Sequence, residues 1–292
     1  MQENYILGAS TEGFHKMFYR TYGHNKENNV LIAAHGLTRN GSDFHYIGEA
    51  FSNSFFTVAP DVVGRGRSDR FKDPIHYRYA QYFSDLTTLI ARTGAQHVDW
   101  LGTSMGGLLG LMLAAQPNTP IRRLILNDVG PFIPNSAIER IKQYATQELI
   151  LQDWAQVEAT LKFMYASFGI QTEEHWDFFI KNSVRQRPDG TYTLHYDVRA
   201  ANTYPQEIQQ TPISQTDKEG NILFWDLWDK LTCPVLVIHG EQSDILTPSI
   251  LAEMRKRGPQ FDLYSIPTCG HAPALLAPEE MACIRQWLER TS

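Results

Sequence analysis

An α/β fold with a mostly parallel sheet is predicted by three observations: short buried-strand runs recur along the 292-residue chain, amphipathic helical stretches separate them, and glycine-rich turns mark where one gives way to the other. Connections this short between strands and helices imply right-handed crossovers with helices on both faces of the sheet.

The elements follow in order. Phe14 to Tyr22 is aromatic-rich and predicts one or two antiparallel strands, broken by the glycine and asparagines of Gly23 to Asn29. Val30 to Ala34 is a continuous apolar run, the pattern of a strand covered on both faces, and ends in His35-Gly36-Leu37. A helix over Ser42–Phe51 and a strand over Phe55–Ala59 come next. Tyr79 to Thr93 places Tyr82, Phe83, Leu86, Leu89 and Ile90 at helical spacing and stops at Gly94. Val98–Leu101 reads as a strand, Leu108–Ala115 as a helix stopped by Gln116-Pro117, and Arg123–Leu126 as a further strand running into Asn127-Asp128. Later come a strand over Pro234–His239, a helix over Pro248–Arg257, a strand over Phe261–Ile266 and a helix over Pro278–Arg290, whose first turn carries Glu279 and Glu280 as the helix dipole favours.

Between residues 132 and 231 the pattern changes. No long apolar strand occurs there, and Ile138–Leu151, Trp154–Phe168 and Glu173–Ser183 read as amphipathic helices, with Thr191–His195 a short extended piece after the turn at Arg187-Pro188-Asp189-Gly190. A structureless loop of this length is improbable. The stretch is therefore expected to be a helical cap inserted in one core domain, formed by 1–131 and 232–292. Of the aromatics singled out there, Tyr144, Trp154, Phe163, Tyr165, Phe168, Trp176, Phe178, Phe179, Trp225 and Trp228, most are expected to fill the cap's own core and a few to line a pocket.

Composition narrows the function. Hydrophobic residues at 42%, charged residues at 20% and a net charge of -6 suit an ordinary globular protein and argue against a nucleic-acid surface. The basic run Arg255-Lys256-Arg257 is explained by a helix C-terminus. Three scattered cysteines form no C-x-x-C pair, so neither a disulfide framework nor a zinc knuckle is indicated. There is no H-E-x-x-H, and Glu173-Glu174-His175 with Asp177 reads as a solvated helix face, so no metal is expected. The Gly64-x-Gly66 turn opens like a dinucleotide fingerprint, but Asp69 stands where the third glycine belongs, so no cofactor is expected. Met1–Ser10 lacks the basic and apolar regions of a signal peptide, and no apolar stretch approaches the roughly 20 residues of a membrane span. A cytoplasmic protein without a membrane segment is expected.

The chemistry centres on Gly102-Thr103-Ser104-Met105-Gly106, a serine between glycines at a strand-to-helix turn. Such a turn strains the serine backbone, and bulkier residues at the glycines would collide as strand and helix close. The motif resembles the nucleophile elbow of the α/β-hydrolase family, and the resemblance extends over nearly the whole chain. It implies a serine, acid and histidine in that chain order, met by Ser104, Asp244 and His271. Asp244 is favoured as the acid because Gly240-x-x-x-Asp244 followed by Pro248 resembles the commoner acid loop of the family. Asp128 is its competitor, since some members carry the acid at the end of that earlier strand. Two backbone N–H groups are nominated as oxyanion donors, that of Met105 at the start of the elbow helix and that of Leu37 after His35-Gly36, a pair the family uses to shape the oxyanion loop. The Asp61-x-x-Gly64-x-Gly66-x-Ser68 loop matches a structural turn of the family.

The implied activity is hydrolysis of a small carboxylic ester or lactone through an acyl-enzyme, with no cofactor. Carbon–carbon bond hydrolysis of the meta-cleavage type ranks lower, because those enzymes generally follow the histidine with tryptophan and here Ala272 follows it. A ligand-binding receptor on a hydrolase scaffold is the alternative from a different class.

Overall fold

The computed structural model describes residues 1–24, 29–203 and 214–290. Most of the expected break after Tyr22, at 25–28, lies outside them, as does part of the expected cap, at 204–213.

Strands β1 (Gln2–Ser10) and β2 (Gly13–Tyr22) form a hairpin, followed by β3 (Val30–Ala34), α1 (His45–Phe51), β4 (Phe56–Pro60), α2 (Tyr79–Thr93), β5 (Val98–Thr103), α3 (Met105–Ala114) and β6 (Ile121–Asn127). Then come the short β7 (Phe132–Ile133), α4 (Asn135–Ala145), β8 (Ile150–Leu151), α5 (Trp154–Met164), α6 (Glu173–Ser183), β9 (Val184–Gln186), β10 (Tyr192–Leu194), β11 (Gln215–Thr216), β12 (Ile222–Leu223) and α7 (Trp225–Trp228). The chain closes with β13 (Val235–Gly240), α8 (Pro248–Lys256), β14 (Phe261–Ile266) and α9 (Pro278–Arg290). None of the described helices is long and apolar enough to cross a membrane.

Eight strands make the main sheet in the order β1-β2-β4-β3-β5-β6-β13-β14. Every pairing from β4 to β14 is parallel, and only β1–β2 and β2–β4 are antiparallel. The predicted mostly parallel α/β sheet is thus present. Side-chain alternation sends Ile32, Ala34, Trp100, Leu124 and Val237 into one apolar layer with α2 and α3, and Leu31, Ala33, Leu101, Ile125 and Ile238 into the other with α1 and α9. Helices consequently cover both faces. The stripe on α2 behaves as its spacing requires, with Tyr82, Leu86, Leu89 and Ile90 buried and Gly94 ending the helix at φ 74°.

Several expectations need correction. Strand β1 escaped notice because it lies at the sheet edge and only Ile6 and Gly8 are buried, leaving no apolar run to read. The Ser42–Phe51 helix is a 3-10 turn, Gly41–Phe44, running into α1; the Asn40 side chain caps it by accepting from Ser42 N–H at 3.0 Å. The Ile138–Leu151 helix starts at Asn135 and stops at Ala145, after which β8 pairs with β10. The Trp154–Phe168 helix ends at Met164 and tightens to a 3-10 turn over Ala166–Phe168, before Gly169 at φ 77°. Residues 132–231 lie between β6 and β13, two adjacent strands of the main sheet, and contribute two three-stranded sheets as well as helices.

One buried ion cluster ties the centre of the sheet together. Asp99 on β5, fully buried, accepts from Arg123 Nε at 2.7 Å and Nη2 at 2.6 Å, and from Arg122 Nε at 2.9 Å, both on neighbouring β6. Removing one partner of such a group leaves the other charge buried and uncompensated. Asp99→Asn is expected to cost about 3–5 kcal/mol, read as a lower urea midpoint with an unchanged slope.

Candidate active site

The strand-to-helix turn has the strained form that the glycines suggest. Ser104 sits at φ 51°, ψ −114°, between the end of β5 and the start of α3. A Cβ built on Gly102 would lie 2.3 Å from the Gly106 carbonyl carbon, and one on Gly106 would lie 2.0 Å from the Ala34 oxygen. Both positions therefore exclude side chains, and β3, β5 and α3 meet backbone to backbone. The turn is held from outside by two hydrogen bonds. Trp100 Nε1–H donates to the Gly106 carbonyl at 2.9 Å, and Ser104 N–H donates to the Asn127 carbonyl at 3.1 Å.

His271 reaches this serine. Its Nε2 is 2.8 Å from Ser104 Oγ, and its Nδ1 is 2.7 Å from Asp128 Oδ2. An ionised carboxylate can only accept, so Nδ1 carries the hydrogen and Nε2 presents a lone pair to the serine hydroxyl. Ser104, His271 and Asp128 thus form one hydrogen-bonded row.

The preference for Asp244 as histidine's partner is corrected by this geometry. Asp244 follows β13 as expected, but its half-exposed carboxylate is clamped by Arg140 of α4, with Nε at 2.6 Å and Nη2 at 2.9 Å. Asp128 takes its place from the end of β6, at φ 56° and fully buried. The Asp128 carboxylate also accepts from Gly240 N–H at 2.9 Å and Ser243 Oγ–H at 2.6 Å. Burial raises its pKa, but His239, with Nδ1 at 3.6 Å, together with the hydrogen bonds from His271 and Ser243, outweighs burial and holds the carboxyl below its ordinary value. It is arranged to stay ionised.

The loop carrying His271 is secured from two directions. Gly270 N–H donates to the Ser167 carbonyl at 2.8 Å and Ala274 N–H to the Phe168 carbonyl at 2.9 Å, so the segment between β6 and β13 brackets the histidine. Asn127 Nδ2 donates to the Pro273 carbonyl at 2.9 Å. The sequence reading missed Ser243 and Asn127. Each stands beside a residue it singled out, but short polar side chains near turns are too common to signal such a contact.

His35 is fully buried and structural, as expected. Its Nε2 accepts from Val62 N–H at 2.9 Å, and its Nδ1–H donates to the Gly36 carbonyl at 2.7 Å. Burial, with Arg65, Arg39 and Arg20 nearby, drives its pKa down to about 3 against the pull of the Gly36 hydrogen bond. Gly36 lies against Ser104, since a Cβ built there would be 3.8 Å from Ser104 Cβ. Arg65, also buried, joins the two nominated donor positions: its Nε donates to the Leu37 carbonyl at 3.0 Å and its Nη2 lies 3.6 Å from Met105 Sδ. The Asp61 loop is likewise structural. Asp61 accepts from Arg20 Nη1, Gly41 N–H and Arg67 N–H, each at 2.8 Å, and a Cβ on Gly66 would strike its Oδ2.

Ser104 and His271 open into a cavity of about 340 Å3, within the ordinary range for small-molecule sites. Six of the ten aromatics singled out between 132 and 231 line it: Tyr144, Phe163, Tyr165, Phe168, Phe178 and Phe179. That exceeds the few expected. The tryptophans Trp154, Trp176, Trp225 and Trp228 do not line it, and Trp228 is instead fully buried against Phe261. Among the described residues no cluster of His, Cys, Asp and Glu is arranged to hold a metal ion.

Comparison with known proteins matches residues 29–278 to a family model described as the alpha/beta hydrolase fold. A 3-hydroxybutyrate-oligomer hydrolase from Cupriavidus necator is 39% identical over 286 residues, covering 97% of this chain and 96% of that one. A solved structure from Rickettsia typhi is 36% identical with a TM-score of 0.90 and covers 100% of both chains. An alpha/beta hydrolase from Novosphingobium aromaticivorans is 32% identical with a TM-score of 0.84, over 99% of this chain and 98% of that chain.

Fully buried His35 and half-buried His195 set a pH dependence. His195, pressed down to about 4 by burial and by Arg70 and Arg185, adds to His35 at about 3. Unfolded, both imidazoles take up a proton near their ordinary 6.5. Below that pH the unfolded chain holds more protons than the folded one, so stability falls with falling pH, by up to about 1.4 kcal/mol per unit and group. His35→Gln is expected to show a smaller loss of stability between about pH 7 and pH 5 than the parent. Urea melts at the two pH values measure it, and equal losses would contradict the assignment.

Proposed function

Because this chain belongs to the α/β-hydrolase fold family, we propose that it is a serine hydrolase that cleaves short carboxylic esters, hydroxy-acid esters above all, through an acyl-enzyme. The observation that carries this reading is the row Ser104–His271–Asp128, hydrogen-bonded at 2.8 Å and 2.7 Å, whose serine and histidine face a cavity lined in part by eight phenylalanine and tyrosine side chains. The hydroxy-acid preference is supported by the 39% identity to a 3-hydroxybutyrate-oligomer hydrolase over nearly the full length of both chains.

In the proposed mechanism His271 Nε2 takes the Ser104 proton as Oγ attacks the ester carbonyl carbon. The carbonyl oxygen becomes an oxyanion that receives hydrogen bonds from the backbone N–H groups of Leu37 and Met105. Collapse of the intermediate expels the alcohol, to which imidazolium returns the proton. Water then enters, His271 takes its proton as the water oxygen adds to the acyl carbon, and collapse of this second intermediate breaks the bond to Ser104 Oγ, which takes the proton back from imidazolium as the carboxylic acid is released. Asp128 keeps the Nδ1–H tautomer and stabilises the imidazolium between the two steps. Residues 132–231 act as the cap, their aromatics shaping the acyl and alcohol subsites.

Three variants assayed on p-nitrophenyl butyrate and on linear 3-hydroxybutyrate dimers test the scheme. Ser104→Ala is expected to lose turnover by about 10⁴-fold or more, and Asp128→Asn by about a thousandfold or more. Asp244→Asn is expected to lose less than about tenfold, as befits the partner of a partly exposed arginine. Undiminished turnover in Ser104→Ala would sink the mechanism. A larger loss in Asp244→Asn than in Asp128→Asn would return the acid role to Asp244.

A further inference from the structure

Formal charge is sparse in the cavity wall. Besides the imidazoles of His175 and His271, the charged lining side chains are Arg39, Asp43 and Arg140. Arg39 is fully engaged: Nε and Nη2 donate to Asp43 at 3.0 Å and 2.6 Å, Nη1 donates to Ser183 Oγ at 2.6 Å, and the guanidinium lies 3.7 Å from the Phe179 ring centroid. Since Asp43 lines the same cavity, this pair adds no net charge to it. Its work is to brace the wall.

Arg140 differs. Its partner Asp244 grips Nε and Nη2, and Asp244 is not among the lining residues. The cavity side thus meets a guanidinium whose paired carboxylate lies outside the lining, with Nη1 not engaged by Asp244 and the neutral Tyr144 side chain as the guanidinium's other hydrogen-bond partner. Arg140 projects from the same helix as Ile141 and Tyr144, which also line the cavity, and Tyr144 stands one turn further along. Most of the remaining wall is apolar, made of phenylalanine and tyrosine rings together with aliphatic side chains such as Leu37, Ile141 and Leu276. A cavity with a nucleophile, apolar walls and one displaced cation is complementary to a small ester that also bears an anion. Planar guanidinium and carboxylate are matched in shape as well as charge.

Resting on the ester-hydrolase reading above, we propose that Arg140 is the specificity-determining residue that receives a free carboxylate of the substrate. The substrates are then anionic esters, and neutral alkyl esters are the poorer class. Arg140 is about two-fifths exposed, so solvent screening keeps the effect moderate.

Two matched ester pairs test this, each comparing a carboxylate with the near-isosteric primary amide. In one pair, 3-(butanoyloxy)butanoate and its amide, the group lies on the alcohol side. In the other, p-nitrophenyl hydrogen glutarate and its amide, it lies on the acyl side. In the parent enzyme at least one pair is expected to favour the carboxylate by about tenfold in kcat/KM, mainly through KM. Arg140→Gln should abolish that ratio and Arg140→Lys should restore part of it. Raising salt from about 0.05 M to about 0.5 M should shrink it in the parent. A ratio unchanged by Arg140→Gln in both pairs, or no carboxylate preference in either, overturns the proposal. Calorimetric binding of the same ligands to Ser104→Ala and to Ser104→Ala/Arg140→Gln separates it from the chemistry. If the parent hydrolyses no ester, the hydrolase reading fails while carboxylate binding that depends on Arg140 still supports this role, and binding indifferent to Arg140 defeats it.

Discussion

Backbone contact at the strand-to-helix turn is the constraint on which the site depends. With only hydrogen atoms at Gly102 and Gly106, α3 can start against β3 and β5, and Ser104 is left at a positive φ that a serine adopts only under compulsion. Surrounding structure supplies the compulsion. Trp100, fully buried in the sheet, reaches across to the Gly106 carbonyl, and the backbone of Asn127 on the next strand holds the Ser104 amide. Strain in one residue is thus carried by a sheet and helix that are buried nearly throughout.

The next strand boundary carries the second part of the site. Asp128, also at positive φ, lies one residue beyond Asn127, so the same strand end that holds the serine amide presents the carboxylate to His271. Gly240 N–H and the Ser243 hydroxyl complete its hydrogen bonding, which lets a buried carboxylate remain charged. Asp244, next to Ser243, points instead to α4. Neighbouring residues in one loop therefore serve different partners, Ser243 supporting Asp128 and Asp244 engaging Arg140.

The stretch between β6 and β13 is joined to the rest of the molecule along more than one line. Its 166–168 turn accepts amides on either side of His271, and the Gly66 and Asp197 amides exchange hydrogen bonds with the backbone of residues 195 and 64. Asn40 Nδ2 adds a bond to the Asn182 carbonyl at 2.8 Å. Arg140–Asp244 is a much more exposed link than these.

Sequence alone determined the sheet strands buried on both faces, the α2 helix to its last residue, the serine turn and the histidine loop, because each is a local pattern: apolar runs, a 3.6-residue stripe, glycines where chains touch. It underestimated how many aromatics face the cavity, since periodicity marks a buried face without saying whether protein or ligand covers it. Only the tertiary structure decided between Asp128 and Asp244. Both follow parallel strands and precede His271, so their sequence contexts are equivalent in kind. What separates them is the three-dimensional path of two loops, together with an arginine 104 residues away in sequence from Asp244 that claims one of the two carboxylates.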